Sequence, residues 1–443
     1  MSAPAPEPRC RHARRPLAPG GPRPTTLLVV FFGPALAFLA AGAAAAIAHA
    51  AGAGAWLHWI SLHLVFLGGI SQLVLGAGQF FVCAFLATDP PGRRMIAAQS
   101  ACWNGGTILV AAGLPLGSSA VTVVSAGLIL AGLALFATAL AQMQRRSLQR
   151  ARWALRWYQA SAASLAVGAL LGALMAHGTT WSHGSLLGAH LALNLGGWFG
   201  TAIIGTLHTF FPSLTQTPLR FARLQGLTFL MWVAAIAELA IGAAFDSRLV
   251  LASGWLDALI AALLLSVNVA ASLRSAPRPL SLPARLLSVA HAFLPAGLLV
   301  ALVATVTRGP MGPFLGTARP ALATLLVAGW IGLTVAGSLL HLLAVLGRVR
   351  DLRRPLPLPH PRRDTTLAAL LAAAVAALAL SHVAALGSLA PPATAVLLGA
   401  GVVLVARIVA LAARALRPTR VRRDVGAPRG ASLGAPRRSS SVG

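Results

Sequence analysis

The chain contains no lysine, only eight acidic residues, three cysteines and a single tyrosine among 443 residues. Charged residues make up 10% of it, against about 25% in soluble domains. That shortage argues against a water-soluble enzyme, a disordered chain or a nucleic-acid module. The cysteines fall at Cys10, Cys83 and Cys102. They supply neither a disulfide framework nor a Cys-x-x-Cys metal motif. What the chain does have is apolar sequence, 57% of its residues, in near-continuous runs long enough to cross a bilayer.

Twelve such runs are expected, at about 25–48, 56–87, 95–115, 119–143, 156–177, 185–212, 226–245, 249–273, 285–306, 318–347, 366–387 and 392–413. The predicted fold is an all-α, polytopic membrane protein. Residues 1–24 form a basic tail, 25–413 a twelve-helix transmembrane domain and 414–443 a second basic tail, expected to be disordered. Most proline breakers, such as Pro90-Pro91 and Pro391-Pro392, sit at or just past span ends. Pro34 and Pro295 fall inside spans and predict kinks.

The net charge of +27 at first suggests a polyanionic partner. Placing the arginines on the spans removes that reading. The tails and even-numbered connections hold Arg9 to Arg23, Arg93 and Arg94, Arg145 to Arg156, Arg220 and Arg223, Arg274 to Arg285, Arg348 to Arg363 and the tail from Arg414. The other side carries Arg248, Arg308 and Arg319. Cytoplasmic loops hold the basic excess, so both termini are expected in the cytoplasm and the chain in the plasma membrane. No basic cluster is interleaved with aromatics, so nucleic acid is not an expected partner. Anionic lipid is a natural partner for the basic tails.

A repeat runs through the spans. Gly197-Trp198-Phe199-Gly200 with Gly205 returns as Gly329-Trp330-Ile331-Gly332 with Gly337, a shift of 132 residues. Gly68 and Gly76 keep the outer pair at a shift of 129. Small residues at helical spacing are ordinary in membrane helices. The matching tryptophans and near-equal shifts point further, to three four-helix repeats with spans 2, 6 and 10 in equivalent places.

The same topology sorts twelve histidines by depth. His49, His58, His63, His177, His183, His190 and His382 lie towards the outer side. His208, His291 and His341 lie towards the inner side, with His12 and His360 in cytoplasmic segments. Imidazole is the commonest transition-metal ligand and a usual axial ligand of haem. His63 and His190 lie one to two turns inside the membrane, where an ionisable group is costly and marks a candidate site. His208, His291, His341 and His382 are weaker metal candidates. At 100° per residue, His190, Asn194, Gly197, Thr201, Gly205 and His208 share one face, read as facing the bundle interior. Glu238 and Asp257 are candidate proton-carrying carboxylates.

The stretch His190-Leu-Ala-Leu-Asn-Leu-Gly-Gly-Trp-Phe-Gly, continuing to Gly205 and Phe210-Phe211-Pro212, resembles the haem-copper oxidase subunit I superfamily of cytochrome oxidases and nitric oxide reductases. The resemblance covers the span count and two or three short motifs. It implies twelve helices in three arcs of four. The family's His-x-His is His190-x-Ala192 here, and His63 takes the place of the second-helix haem histidine. The copper histidines are missing: span 7 reads Leu227-Thr-Phe-Leu-Met-Trp, and span 10 carries only His341. The lone Tyr158 does not replace the family's site tyrosine.

The resemblance therefore implies an integral membrane haem-binding protein, for electron transfer or for chemistry or sensing of a gas such as oxygen or nitric oxide. His63 and His190 would hold haem b, and copper would have only an incomplete site. An electron-donor protein or quinol would be the partner beside the lipid bilayer. Whether the chain is an enzyme stays open. A cofactor-free transporter or channel, and a membrane assembly or structural factor, are the alternatives.

Overall fold

The computed structural model describes residues 21–113, 115–149, 152–382 and 384–416. The first twenty residues, with Cys10 and His12, and the tail beyond Leu416 lie outside the described residues, so the expected disorder of the tails is not addressed. Twelve long helices follow one another: α1 Pro24–Ala50, α2 Trp56–Leu86, α3 Arg93–Gly113, α4 Ser119–Arg146, α5 Arg152–Ala176, α6 Leu186–Thr215, α7 Leu224–Ala244, α8 Arg248–Ser275, α9 Leu282–Arg308, α10 Arg319–Arg350, α11 Pro361–Leu380 and α12 Ala390–Leu416. Where helices begin in wet connections, serines cap them. Ser118, Ser185, Ser247 and Ser281 each accept a backbone N–H at the start of α4, α6, α8 and α9, satisfying a donor the helix cannot.

Eleven of these helices are long and apolar enough to cross a membrane. The twelfth, α3, is less apolar because it carries Arg93, Arg94, Gln99 and Asn104. Its 21 residues still rise about 32 Å at 1.5 Å each. Its polar side chains are met from α2: Gln72 donates to Asn104 at 3.1 Å and Gln79 donates to Gln99 at 3.1 Å. The all-α, polytopic membrane fold is as the composition predicted.

The threefold repeat is visible in the packing. In each four-helix unit, the first and second helices pack together, as do the third and fourth. The second helix of each unit also touches the first helix of the next: α2 meets α5, α6 meets α9, and α10 returns to α1. Three arcs thus close into a ring with α2, α6 and α10 innermost.

Glycines set the spacing within each arc. A Cβ on Gly68 would stand 2.7 Å from the Phe38 ring, one on Gly76 2.8 Å from Phe31, and one on Gly329 2.9 Å from Phe293. Gly197 lies against Ser164, Gly205 against Trp157 and Gly337 against Leu287. In every case the neighbour belongs to the first helix of the same unit. Small residues let backbones approach where lipid offers no hydrophobic contrast.

The innermost helices share a further device. Each widens to i→i+5 hydrogen bonding, over Leu64–Ile70, Ala192–Gly200 and Ala323–Gly332. These π-helical stretches match to within a residue or two under the shifts of 129 and 132. Side chains from neighbouring helices cap carbonyls inside them. Trp103 Nε1 donates to Leu67 O at 2.9 Å, and its equivalent Trp232 donates to Gly196 O at 3.3 Å. Ser161 donates to Trp198 O at 2.7 Å.

On the ring axis lies a cavity of about 80 Å³. Its wall repeats in register: Leu73, Ala202 and Thr334; Val74, Ile203 and Val335; Ala77, Thr206 and Ser338; Gly78, Leu207 and Leu339; Phe81, Phe210 and Leu342. Every triplet obeys the same two shifts. No pattern of hydropathy alone produces that coincidence, and it identifies the cavity as the pseudo-threefold axis.

Arg407 escaped the sorting of arginines because it lies inside α12. It donates to Asp364 Oδ1 at 2.8 Å. Asp364 Oδ2 accepts the His360 N–H at 2.9 Å, so one buried carboxylate ties α12 to the start of α11. With Arg407 one-third exposed, at 34%, the pair lies between the surface and buried regimes. Asp364→Ala is expected to cost about 2 kcal/mol, read as a lowered unfolding midpoint in detergent. An unchanged midpoint would remove the pair from the stabilising contacts.

With twelve crossings, reporter fusions after residue 182, between α5 and α6, and at the C-terminus should report opposite sides of the membrane. Finding both on the same side would overturn the span count.

Candidate functional site

His63 stands in α2 at the mouth of its π-helical stretch. Its ring stacks on Trp59 at 3.8 Å between centroids, and its Nδ1 lies 2.9 Å from Trp59 O. His190 stands on α6 two residues before its wide stretch, two positions before Ala192, the residue that the shift of 129 sets opposite His63. Its Nδ1 lies 2.8 Å from Gly168 O of α5. Gly172 makes room for it: a Cβ there would be 3.0 Å from His190 Cε1, whereas one on Gly168 would stand 2.6 Å from the Asn194 amide.

A carbonyl only accepts. The neutral form of each imidazole therefore carries its proton on Nδ1, and Nε2 keeps a lone pair. Among the described residues neither Nε2 has a hydrogen-bond partner. Both rings are half-buried. Phe66, three residues beyond His63, meets Phe199, nine residues beyond His190, at 5.6 Å, and Trp198 Nε1 donates across to Ser71 Oγ at 2.9 Å. The outer halves of α2 and α6 are thus joined by aromatic packing below two preset imidazoles.

The face headed by His190 is not the one that looks at the axis. Asn194 packs on Gly168, Gly197 on Ser164, and Gly205 and His208 beside Trp157, all on α5. Thr201 accepts from Trp232 of α7 at 3.1 Å. The polar and small stripe is a helix-packing face, as such stripes commonly are. The axis is met instead by Ala202, Ile203, Thr206, Leu207 and Phe210.

His208 of α6, 1% exposed, and His291 of α9, 5% exposed, are both buried. His291 Nε2 lies 2.8 Å from Ser266 Oγ of α8. The sequence held both as weak metal candidates.

The remaining candidates stand apart. His341 meets only the edge of Phe210, at 5.4 Å. His382 is exposed beyond α11, and His177 and His183 are exposed between α5 and α6. His49 and His58 adjoin at 5.3 Å in the α1–α2 connection. Glu238 keeps one buried oxygen without a partner, and Asp257 is half-buried on α8. Cys83 and Cys102 are free thiols. Among the described residues no three His, Cys, Asp or Glu side chains converge as a metal cage. Tyr158 is buried, its hydroxyl 2.7 Å from Thr206 Oγ1 on the cavity wall.

No protein-family model matches the chain, and no curated protein matches it in sequence.

Proposed function

We propose that this chain is a membrane-embedded haem protein in which His63 and His190 would hold the haem. The observation that carries the reading is the shared tautomer. Two imidazoles on neighbouring central helices are each held by a backbone carbonyl at Nδ1, leaving Nε2 free. Ligating histidines are oriented and made more basic in this way. The donor set fits a bis-imidazole iron centre, and no third protein ligand is needed for it.

Bound haem would supply a one-electron couple or a gas-binding iron. The chain's own residues hold the rest. Trp59 O and Gly168 O keep the protons on Nδ1. Gly172 admits the His190 ring. Phe66 and Phe199 keep water from the space beneath. The resemblance to haem-copper oxidases supports the same assignment. The missing copper histidines, and a Tyr158 hydroxyl engaged with Thr206, favour electron transfer or gas sensing over oxygen reduction. A quinol or an electron-donor protein would be the partner. The arginine partition supports a plasma-membrane location with both termini in the cytoplasm.

The test is spectroscopic. Protein purified from haem-replete cells should show a Soret band and a b-type pyridine haemochrome. A colourless, folded protein would overturn the proposal. The apolar axial cavity favours a second reading, a cofactor-free transporter, whose substrate path would run between α2, α6 and α10.

A further inference from the structure

We infer that the groove between the α6–α7 connection and α8 holds one anionic phospholipid, with its phosphate at Arg220 and Arg274 and an acyl chain along α8. The groove measures about 590 Å³, within the ~300–1,000 Å³ usual for small-molecule sites. Its wall on α8 includes Leu263, Val267, Ala270 and Arg274, which follow one another at i, i+4, i+7 and i+11 on one helix face. At 1.5 Å per residue that face runs about 16 Å, half of a ~30 Å hydrocarbon core. A chain laid along it would span one leaflet, with the arginines at headgroup level.

The connection is tied to α8 by one side chain. Asn268, 3% exposed, accepts the Phe221 N–H at 3.0 Å and donates to Phe221 O at 3.2 Å. An amide used as both acceptor and donor on one residue fixes the backbone there, and Arg220 is the next residue. Phe221, Leu263 and Val267, all lining the groove, are exposed, which suits contact with an acyl chain.

The charge selects the lipid. Arg220 and Arg274 are both exposed. Among the described residues the ion pairs are Arg354–Asp351 and Arg407–Asp364, so both groove arginines are unpaired. Arg278 and Arg285 on the same side are spent on backbone, at Leu273 O and Leu280 O, each at 3.1 Å. The only acid of α8, Asp257, lies about 26 Å along the helix from Arg274. Ser275 also lines the groove and has a hydroxyl to donate to a phosphate oxygen. Basic pockets between membrane helices recognise anionic headgroups, and guanidinium forks match phosphate oxygens. A zwitterionic lipid brings its own cation to a place that already has two. The site is separate from His63 and His190, and the inference does not rest on haem.

The full-length protein in detergent is titrated with dioleoyl phosphatidylglycerol and, separately, with dioleoyl phosphatidylcholine, and bound lipid is counted by native mass spectrometry. One phosphatidylglycerol should bind about tenfold more tightly than phosphatidylcholine. Arg220→Gln and Arg274→Gln should each cut that preference about fivefold, and the double variant should abolish it, with elution volume unchanged. Arg93→Gln/Arg94→Gln, which removes the same charge from the start of α3, should keep it. Ala270→Trp, which fills the groove and leaves both arginines, should lose the bound lipid. Glycerol phosphate in molar excess, a headgroup without chains, should not displace it. Equal binding of the two lipids by the wild type would overturn the inference, as would a preference that survives in the double variant or in Ala270→Trp. Loss of the preference in Arg93→Gln/Arg94→Gln would overturn it by making it a property of net charge. Displacement by glycerol phosphate would overturn it in favour of a site for a free anion.

Discussion

His63→Ala and His190→Ala should each strip haem from the purified protein, while His208→Ala leaves the Soret band in place. The expected loss is large because the substitution removes an iron ligand outright. Even second-shell partners of a metal site are worth about 10–100-fold in affinity, so the loss of either imidazole should exceed tenfold. The two variants differ in an instructive way. His63 makes its Nδ1 bond within its own helix, to Trp59 O. His190 makes it to Gly168 of α5, so His190→Ala also leaves that carbonyl without a side-chain donor. Added imidazole should restore part of the spectrum in both variants, because a free ligand can enter the space vacated by the ring. A packing role would not be rescued that way. Retention of the full Soret band by either variant would exclude that histidine as a ligand.

The second large effect is expected at Gly205. A leucine there would place its side chain into the Trp157 indole, itself fully buried at 0% exposure. Overpacking commonly costs about 1–3 kcal/mol, and the rigid indole puts Gly205→Leu at the upper end. The α5–α6 contact would open, and Gly168, Gly172 and the His190 anchor lie on the same pair of helices. The unfolding midpoint should fall and haem retention should fall with it. Gly399→Leu is the control. It is exposed on α12 with nothing within 4 Å of a built Cβ, and should stay within about 0.5 kcal/mol of the wild type. Equal midpoints for the two variants would mean that α5 and α6 do not approach as closely as the glycine implies.

Several levels of this molecule were readable from residues alone. The apolar runs determined the number of long helices, because a bilayer demands about twenty apolar residues per crossing. The glycine and tryptophan spacings determined the repeat, because close backbone approach tolerates only small residues at the same places in each unit. The outer histidines His63 and His190 stood out because ionisable groups inside lipid are costly.

The tertiary structure decided which way each face turns. In lipid both the buried and the exposed sides of a helix are apolar, so periodicity does not separate the axis from the membrane. The stripe from His190 to His208 therefore read as facing the interior, whereas it packs on α5. The wide turns at Leu64–Ile70, Ala192–Gly200 and Ala323–Gly332 add to this, since each shifts the helical phase that a regular 100° step assumes. The proton position on His63 and His190 and the Arg407–Asp364 bond depend on groups from other turns or other helices. The His190 and Arg407 contacts exist only once neighbouring helices have packed, and the spacing of apolar residues does not encode them.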